Sequence, residues 1–171
     1  MRAVHSAVVA FLSGLALCGC GTDYAWRSSV PEDMRTVSVP TFRNDSNLQE
    51  AGAIATRQVL REFQREGTFA IRPADDSALQ IQGTIKSVES GLVGYDRRRG
   101  LRLGGQDAAA TAVVSVVDKR RGKVLVDNRA YRATATFAAG QDVTTAQRDV
   151  SGRLMEDLAR QIVDDVLALD L

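Results

Sequence analysis

Apolar residues recur along this chain in two rhythms, and the alternation between them outlines a fold. Thr36-Val37-Ser38-Val39-Pro40 reads as a short strand with Val37 and Val39 on one side, stopped by a proline that removes a ladder donor. Thr41 to Asn47 supplies polar turn residues, and Ser46 with Gln49 three positions on fits a capping box. From Leu48 to Glu66 the spacing changes to three and four: Leu48, Ala51, Ala55, Val59 and Phe63, with Ile54 alongside, predict a helix with one buried face. Gly67 ends it where a left-handed residue costs least.

Phe69 and Ile71 then start a short strand, which Pro73 and Asp75-Asp76 interrupt. Leu79 to Ile85 alternates strictly, with Gln80, Gln82 and Thr84 on the polar side, and a bulge would carry the strand on through Val88. Beyond the Gly104-Gly105 break, Ala110, Ala112, Val114 and Val116 predict a long strand ending at Asp118. Lys119-Arg120-Arg121-Gly122 makes a turn, and Lys123 to Thr136, with Val124, Val126 and Tyr131, completes a hairpin. In the last segment Val150, Leu154, Leu158, Ile162, Val166 and Leu169 form one helical stripe. Met155, Ala159, Val163 and Leu167 lie beside it, so the apolar face is wide enough to cover a sheet. Thr144 with Gln147, or Asp142, offers its cap, and Arg153-Asp157 and Arg160-Asp164 are spaced for ion pairs on its wet side.

The predicted class is α+β: two amphipathic helices packed on one face of a mostly antiparallel, roughly four-stranded sheet. The other face, with Gln80, Gln82, Thr84 and Arg129, is left open to water or to a partner. Residues 36–171 form a single domain, preceded by a tether over 20–35 that holds Tyr24 and Trp26, and by a leader over 1–19.

The leader has Arg2 as its formal charge and an apolar run from Ala7 to Leu17, broken by Ser13 and Gly14, that is too short to span a bilayer. It ends in Leu17-Cys18-Gly19-Cys20, which resembles the lipobox at which a bacterial lipoprotein signal is cut before an acylated cysteine. On that reading Cys20 is the lipidated N-terminus and Cys18 leaves with the leader. A disulfide between two such close cysteines would be strained and would constrain little. A zinc site lacks ligands, because the one histidine is His5. A plain secretory signal or an anchor helix remains the competing reading.

Without the leader roughly 150 residues remain, enough for one core. The basic count falls from 22 to 21 and equals the 21 acidic side chains, so any basic contact surface must be local and bulk nucleic-acid binding is disfavoured. Catalysis by histidine or by a free thiol is unavailable, since no histidine and no cysteine follows Cys20. Asp75-Asp76 and Asp164-Asp165 are sequence neighbours, and the second pair does not share one helix face, so it reads as wet surface. Gly104-Gly105 lacks the lysine and the following helix of a phosphate loop. No cofactor, no metal and no enzyme activity are expected.

Several stretches together resemble the lipopolysaccharide-assembly lipoprotein (LptE) family. They are the lipobox, Val37-x-Val39-Pro40-x-Phe42-x-Asn44, Arg61-Glu62-Phe63, Leu79-x-Ile81-x-Gly83-x-Ile85, Tyr95, Asp118 to Leu125 and the long terminal helix. The resemblance implies an outer-membrane lipoprotein on the periplasmic face. It would plug and help assemble the LptD-like β-barrel of the lipopolysaccharide translocon and touch lipopolysaccharide itself. Segment 94–105 departs from the family pattern and carries Arg97, Arg98, Arg99 and Arg102, whose guanidinium groups suit phosphate oxygens. Arg120 and Arg121, in a second basic turn with Lys119 and Lys123, are further candidates for lipopolysaccharide or barrel contact, and the two turns would form one basic pole if they shared an end of the sheet. The alternative is a free-standing, lipid-tethered periplasmic module that takes a small ligand or peptide on its open sheet face.

Overall fold

The structure, a computed structural model, describes residues 30–92, 105–138, 143–169 and 171. The chain enters the core at Val30, passes through a 3-10 turn at Glu32–Met34 and forms β1 (Thr36–Ser38) and β2 (Arg43–Asn44). Helix α1 (Ala51–Glu66) and β3 (Ala70–Ile71) follow. A 3-10 turn at Ala74–Asp76 then leads into β4 (Leu79–Leu92), β5 (Gly105–Asp118), β6 (Lys123–Ala138) and helix α2 (Val143–Leu167). The strands form one six-stranded sheet in the order β3-β1-β4-β5-β6, with β2 also paired to β4.

The expected class holds, but the strand count and pairing need correction. The three long strands are antiparallel to one another, as the alternating segments predict. The three short ones are parallel: β1 pairs with β3 and β4, and β2 pairs with β4. Parallel pairing requires a crossover, and α1 lies in the one that leads from β1 to its neighbour β3. The short strands expected at Thr36 and around Ile71 are present, whereas β2, two residues long, lies in a stretch that reads as polar turn and was not expected.

Both helices cover the same face. Val59 and Phe63 from α1 and Leu154, Leu158 and Ile162 from α2 pack with Ile81, Ile85, Ala112 and Val114 of the sheet, all at most 1% exposed. Small alanines at 108, 110, 112 and 133 let the helices lie close to the strands. Gly67 has φ 83° and its N–H reaches the Phe63 carbonyl at 3.1 Å. That left-handed turn brings the Phe63 and Phe69 rings edge to face, with centroids 5.6 Å apart.

Phe42 locks the first turns of α1 to the sheet. Its N–H donates to Thr56 Oγ1 at 2.9 Å, and that hydroxyl donates onward to the Gly52 carbonyl at 2.8 Å. Gly52 and Gly83 lie against it from the helix and from β4, where a Cβ would strike the Phe42 carbonyl oxygen and the ring respectively.

The capping box expected from Ser46 and Gln49 does not form. The N-cap is Glu50, with no side-chain cap bond. Asn44 organises the approach instead: its amide donates to the carbonyls of Leu48 and Gln49, and its Oδ1 accepts from both the Ser46 N–H and the Ser46 hydroxyl. Ser46 is thereby held in the turn before the helix, out of reach of the helix's orphan amides.

Candidate functional site

The meander of long strands gives the domain two ends. At one end β5 turns into β6 through Lys119–Gly122, and Val30 to Arg35 arrives there as well, since Arg120 Nη1 lies 3.3 Å from Asp33 Oδ2. At the other end β4 stops at Leu92, β5 starts at Gly105 and β6 stops at Ala138. Fourteen residues of β5 separate the ends, about 45 Å of extended chain. The two arginine-bearing segments therefore attach to opposite ends of β5, and the condition for one basic pole, a shared end of the sheet, is not met. Arg97, Arg98, Arg99 and Arg102 themselves lie outside the described residues, as do Cys20, Tyr24, Trp26, Tyr95 and the Asp142 cap position.

The hairpin tip is a balanced site rather than a basic one. Asp118 is fully buried, and its Oδ1 accepts from the N–H groups of Arg120 and Arg121 at 2.9 and 3.0 Å. Arg121 Nη1 stands 3.7 Å from Asp118 Oδ2, and Lys119 Nζ donates to the Ala74 carbonyl. Asp75 and Asp76 face Lys119 and Arg120 across a shallow hollow of about 340 Å³. Gly122, with φ 63°, closes the turn. Four carboxylates, those of Asp33, Asp75, Asp76 and Asp118, thus stand among its cations, which leaves little field for a polyanion.

The open face of the sheet carries a polar groove of about 450 Å³. Gln82, Thr84, Val113, Ser115 and Asn128 are among its lining residues, with Pro40, Thr41, Arg43 and Lys86. Asp45 accepts from Arg43 Nε at 2.9 Å and from Lys86 Nζ at 2.8 Å. The bonds from these two cations hold the Asp45 carboxyl at about 2, and the Asp45 carboxylate in turn raises Arg43. Hydroxyls and amides beside a half-neutralised pair of cations suit a polar ligand or a polar protein surface.

Arg129 is not on that open face, contrary to expectation. Asn128, at φ 45°, bulges β6 so that two residues of it oppose one of β5, and the phase of the strand flips. Arg129 and Tyr131 consequently share the helix side, where Arg129 Nη1 and the Tyr131 hydroxyl, the latter at 2.6 Å, both reach Asp165 of α2. Partial burial, more than the Asp165 carboxylate, pushes the Tyr131 phenol up beyond the range in which tyrosine ordinarily ionises. A second irregularity turns Val124 outward, half exposed, beside Val117. Asp165, expected to be wet surface, is thus a structural anchor, and the signal available for it was the turn-forming Asp127-Asn128 inside an otherwise strand-like run. Arg160 also differs from expectation: it turns back to Glu156 and Asp157 rather than forward to Asp164, as helical side chains lean toward the N-terminus.

Among the described residues no group of three His, Cys, Asp or Glu side chains could hold a metal ion, and no helix is long and apolar enough to cross a membrane. Residues 34–166 match the family described as lipopolysaccharide-assembly, LptE. This chain belongs to the LptE family. The match runs from the last residue of the first 3-10 turn nearly to the end of α2, so it takes in every strand and both helices. Solved structures agree on the fold. A minor lipoprotein from Acinetobacter baumannii superposes with a TM-score of 0.55 at 12% identity, covering 79% of this chain and 94% of its own. A hypothetical protein from Chlamydia trachomatis gives 0.53 at 14% identity, with 79% and 96% covered. A protein from Xanthomonas campestris gives 0.53 at 14% identity, with 81% and 88% covered. No curated protein sequence matches. Membership of the LptE family gives the chain a role in lipopolysaccharide assembly.

Proposed function

We propose that this protein is an outer-membrane lipoprotein, acylated at Cys20 and facing the periplasm, that plugs and helps assemble the β-barrel through which lipopolysaccharide reaches the outer leaflet. The observation that carries the reading is the family match over residues 34–166. The shape of the domain is consistent with it. Val30 to Arg35 lies at the end that holds the hairpin tip, and the segment with Arg97, Arg98, Arg99 and Arg102 is attached one strand length away, at the other end. In this reading those four arginines meet lipopolysaccharide phosphates or acidic groups of the barrel, and Arg120 and Arg121, engaged with Asp33 and Asp118, have a lesser part. The role is binding and assembly, with no catalysis.

Isolation of the acylated protein from detergent-extracted outer membrane, followed by identification of what comes with it, tests the reading. A large β-barrel protein in stoichiometric amount is the expected result, and its absence overturns the plug. The groove on the open sheet face favours a second reading in that event, a tethered module that binds a small polar ligand or a peptide.

A further inference from the structure

The outward face of α1 carries a charge pattern that neither the core nor the plug reading uses. Arg57, Arg61 and Arg65 follow one another at intervals of four, all exposed, with exposed Gln64 between them. Four residues advance about 6 Å along a helix, so the three guanidinium groups span about 12 Å in a row. Among the described residues Arg57 and Arg61 have no ion-pair partner; Arg65 holds Glu62. Glu62 is itself mostly covered and feels the charge of Arg160 from α2, so it belongs to the seam between the helices. The acid on the row's own face is Glu50, seven residues before Arg57 and about 10 Å away. Glu66 is turned to Thr68, whose N–H and hydroxyl donate to it. In a chain whose positive and negative side chains nearly cancel, this is a local surface of one sign.

We propose that this face of α1 rests on the anionic phospholipid headgroups of the leaflet that holds the protein's anchor. Phosphodiesters accept paired donors from guanidinium groups, and each arginine near an anionic bilayer contributes roughly a five-fold gain in partitioning. Three such gains, roughly a hundred-fold together, do not recruit a free protein firmly. They do orient one that is already tethered, because the tether keeps the local concentration high. The ten residue steps from Cys20 to Val30 can span about 35 Å, which lets the domain lie on its side with α1 down. The surface serves the anchored domain while it is not engaged with a barrel, so the inference rests on the proposed acylation at Cys20 but not on the plug.

The test uses the chain from Gly21 onward, which contains no cysteine and keeps the whole described core, held to nickel-chelating lipid through an N-terminal hexahistidine tag. A fluorophore is placed at Gln64→Cys on the row or at Thr134→Cys on the opposite, open face of the sheet, and energy transfer to a headgroup acceptor is read. At low salt, vesicles containing phosphatidylglycerol are expected to give several-fold higher transfer from position 64 than from position 134. The difference should vanish with phosphatidylcholine alone, at high salt, and in an R57Q/R61Q/R65Q variant, and it should persist in R57K/R61K/R65K. Equal transfer from the two positions, or a difference that survives the glutamine variant, overturns the proposal. If the glutamine variant approaches vesicles as the parent does and loses only capture of an outer-membrane barrel, the row is a protein contact and the proposal falls, with the plug reading intact. Absence of a barrel from pull-downs would leave the vesicle result unaffected.

Discussion

The ring of Phe42 fills the space in which a Cβ on Gly83 would stand. Gly83 sits in the middle of β4 opposite Val114, on the face covered by the helices, so the missing side chain is a socket for a residue forty-one positions earlier. Gly83→Ala forces the Phe42 ring to move against Thr56 and the helix. Overpacking of this kind costs about 1–3 kcal/mol, so the urea midpoint should fall while the slope of the transition is unchanged. A Phe42→Leu background should recover part of the loss, because the smaller side chain leaves room for the methyl group. An unchanged midpoint in the single variant would show that the ring is free to relocate.

Asp165 ties the end of α2 to the edge strand through Arg129 and the Tyr131 hydroxyl. Gln161, one turn earlier, donates to the Arg132 carbonyl at 3.2 Å, and this satisfies an outward-facing group of β6. Together with the Asn128 bulge these contacts blunt an edge that would otherwise invite another strand. Asp165→Ala is expected to lower stability by about 1–3 kcal/mol, since it leaves the hydroxyl of buried Tyr131 without its acceptor. It should also raise the rate of amide hydrogen exchange along β6 more than along β4. Equal changes in the two strands would argue against a local latch.

The same contact fixes the titration of Tyr131. Its folded pKa lies above the ordinary value of 10, so its hydrogen bond to Asp165 is fully present below pH 10 and weakens as pH rises toward the folded value. The phenol should therefore contribute nothing to the rise in tyrosinate absorbance near pH 10. A Tyr131→Phe protein is expected to give the same absorbance amplitude as the parent up to about pH 11. A smaller amplitude in the variant would mean that Tyr131 ionises normally.

For Asp45 the sign is reversed. Its carboxyl is held at about 2 by the bonds from Arg43 and Lys86, below the unfolded value of 3.8, so whatever stability it gives is present above pH 4 and is lost as pH falls toward 2. The group is open to solvent, and salt should weaken the effect. Carboxyl carbon NMR should place its midpoint near 2 in the parent and closer to 4 in a Lys86→Met, Arg43→Met double variant.

The long elements were legible because each shows its period over many residues. The stripe at 150, 154, 158, 162 and 166 is buried throughout, and the alternation at 79, 81 and 85 places those residues in the core. The bulge required to keep Val88 on the core side stands between Ile85 and Ser87. What stayed hidden depends on single backbone events. Asn128 at positive φ reverses the phase of β6, and no hydrophobic pattern announces it before Arg129 and Asp165 are brought together. The basic turns were visible as composition, and their attachment at opposite ends follows from the one strand, β5, that lies between them, so that separation was already implicit in the long strand expected to end at Asp118.

That placement separates the two sets of arginines experimentally. Arg120 is paired with Asp33, and Arg121 lies beside buried Asp118, so exchanging both for glutamine removes cations that already have partners. The opposite end, where β4 stops and β5 begins, carries the segment with Arg97, Arg98, Arg99 and Arg102, and the proposed contact with lipopolysaccharide places its phosphates there. At low salt, where screening is least, glutamine at all four of those positions should weaken lipopolysaccharide binding at least ten-fold, about 1.4 kcal/mol, with circular dichroism unchanged. Glutamine at 120 and 121 should change it less than two-fold, about 0.4 kcal/mol. The opposite ranking would put the lipopolysaccharide site at the hairpin tip, at the end where Val30 to Arg35 lies.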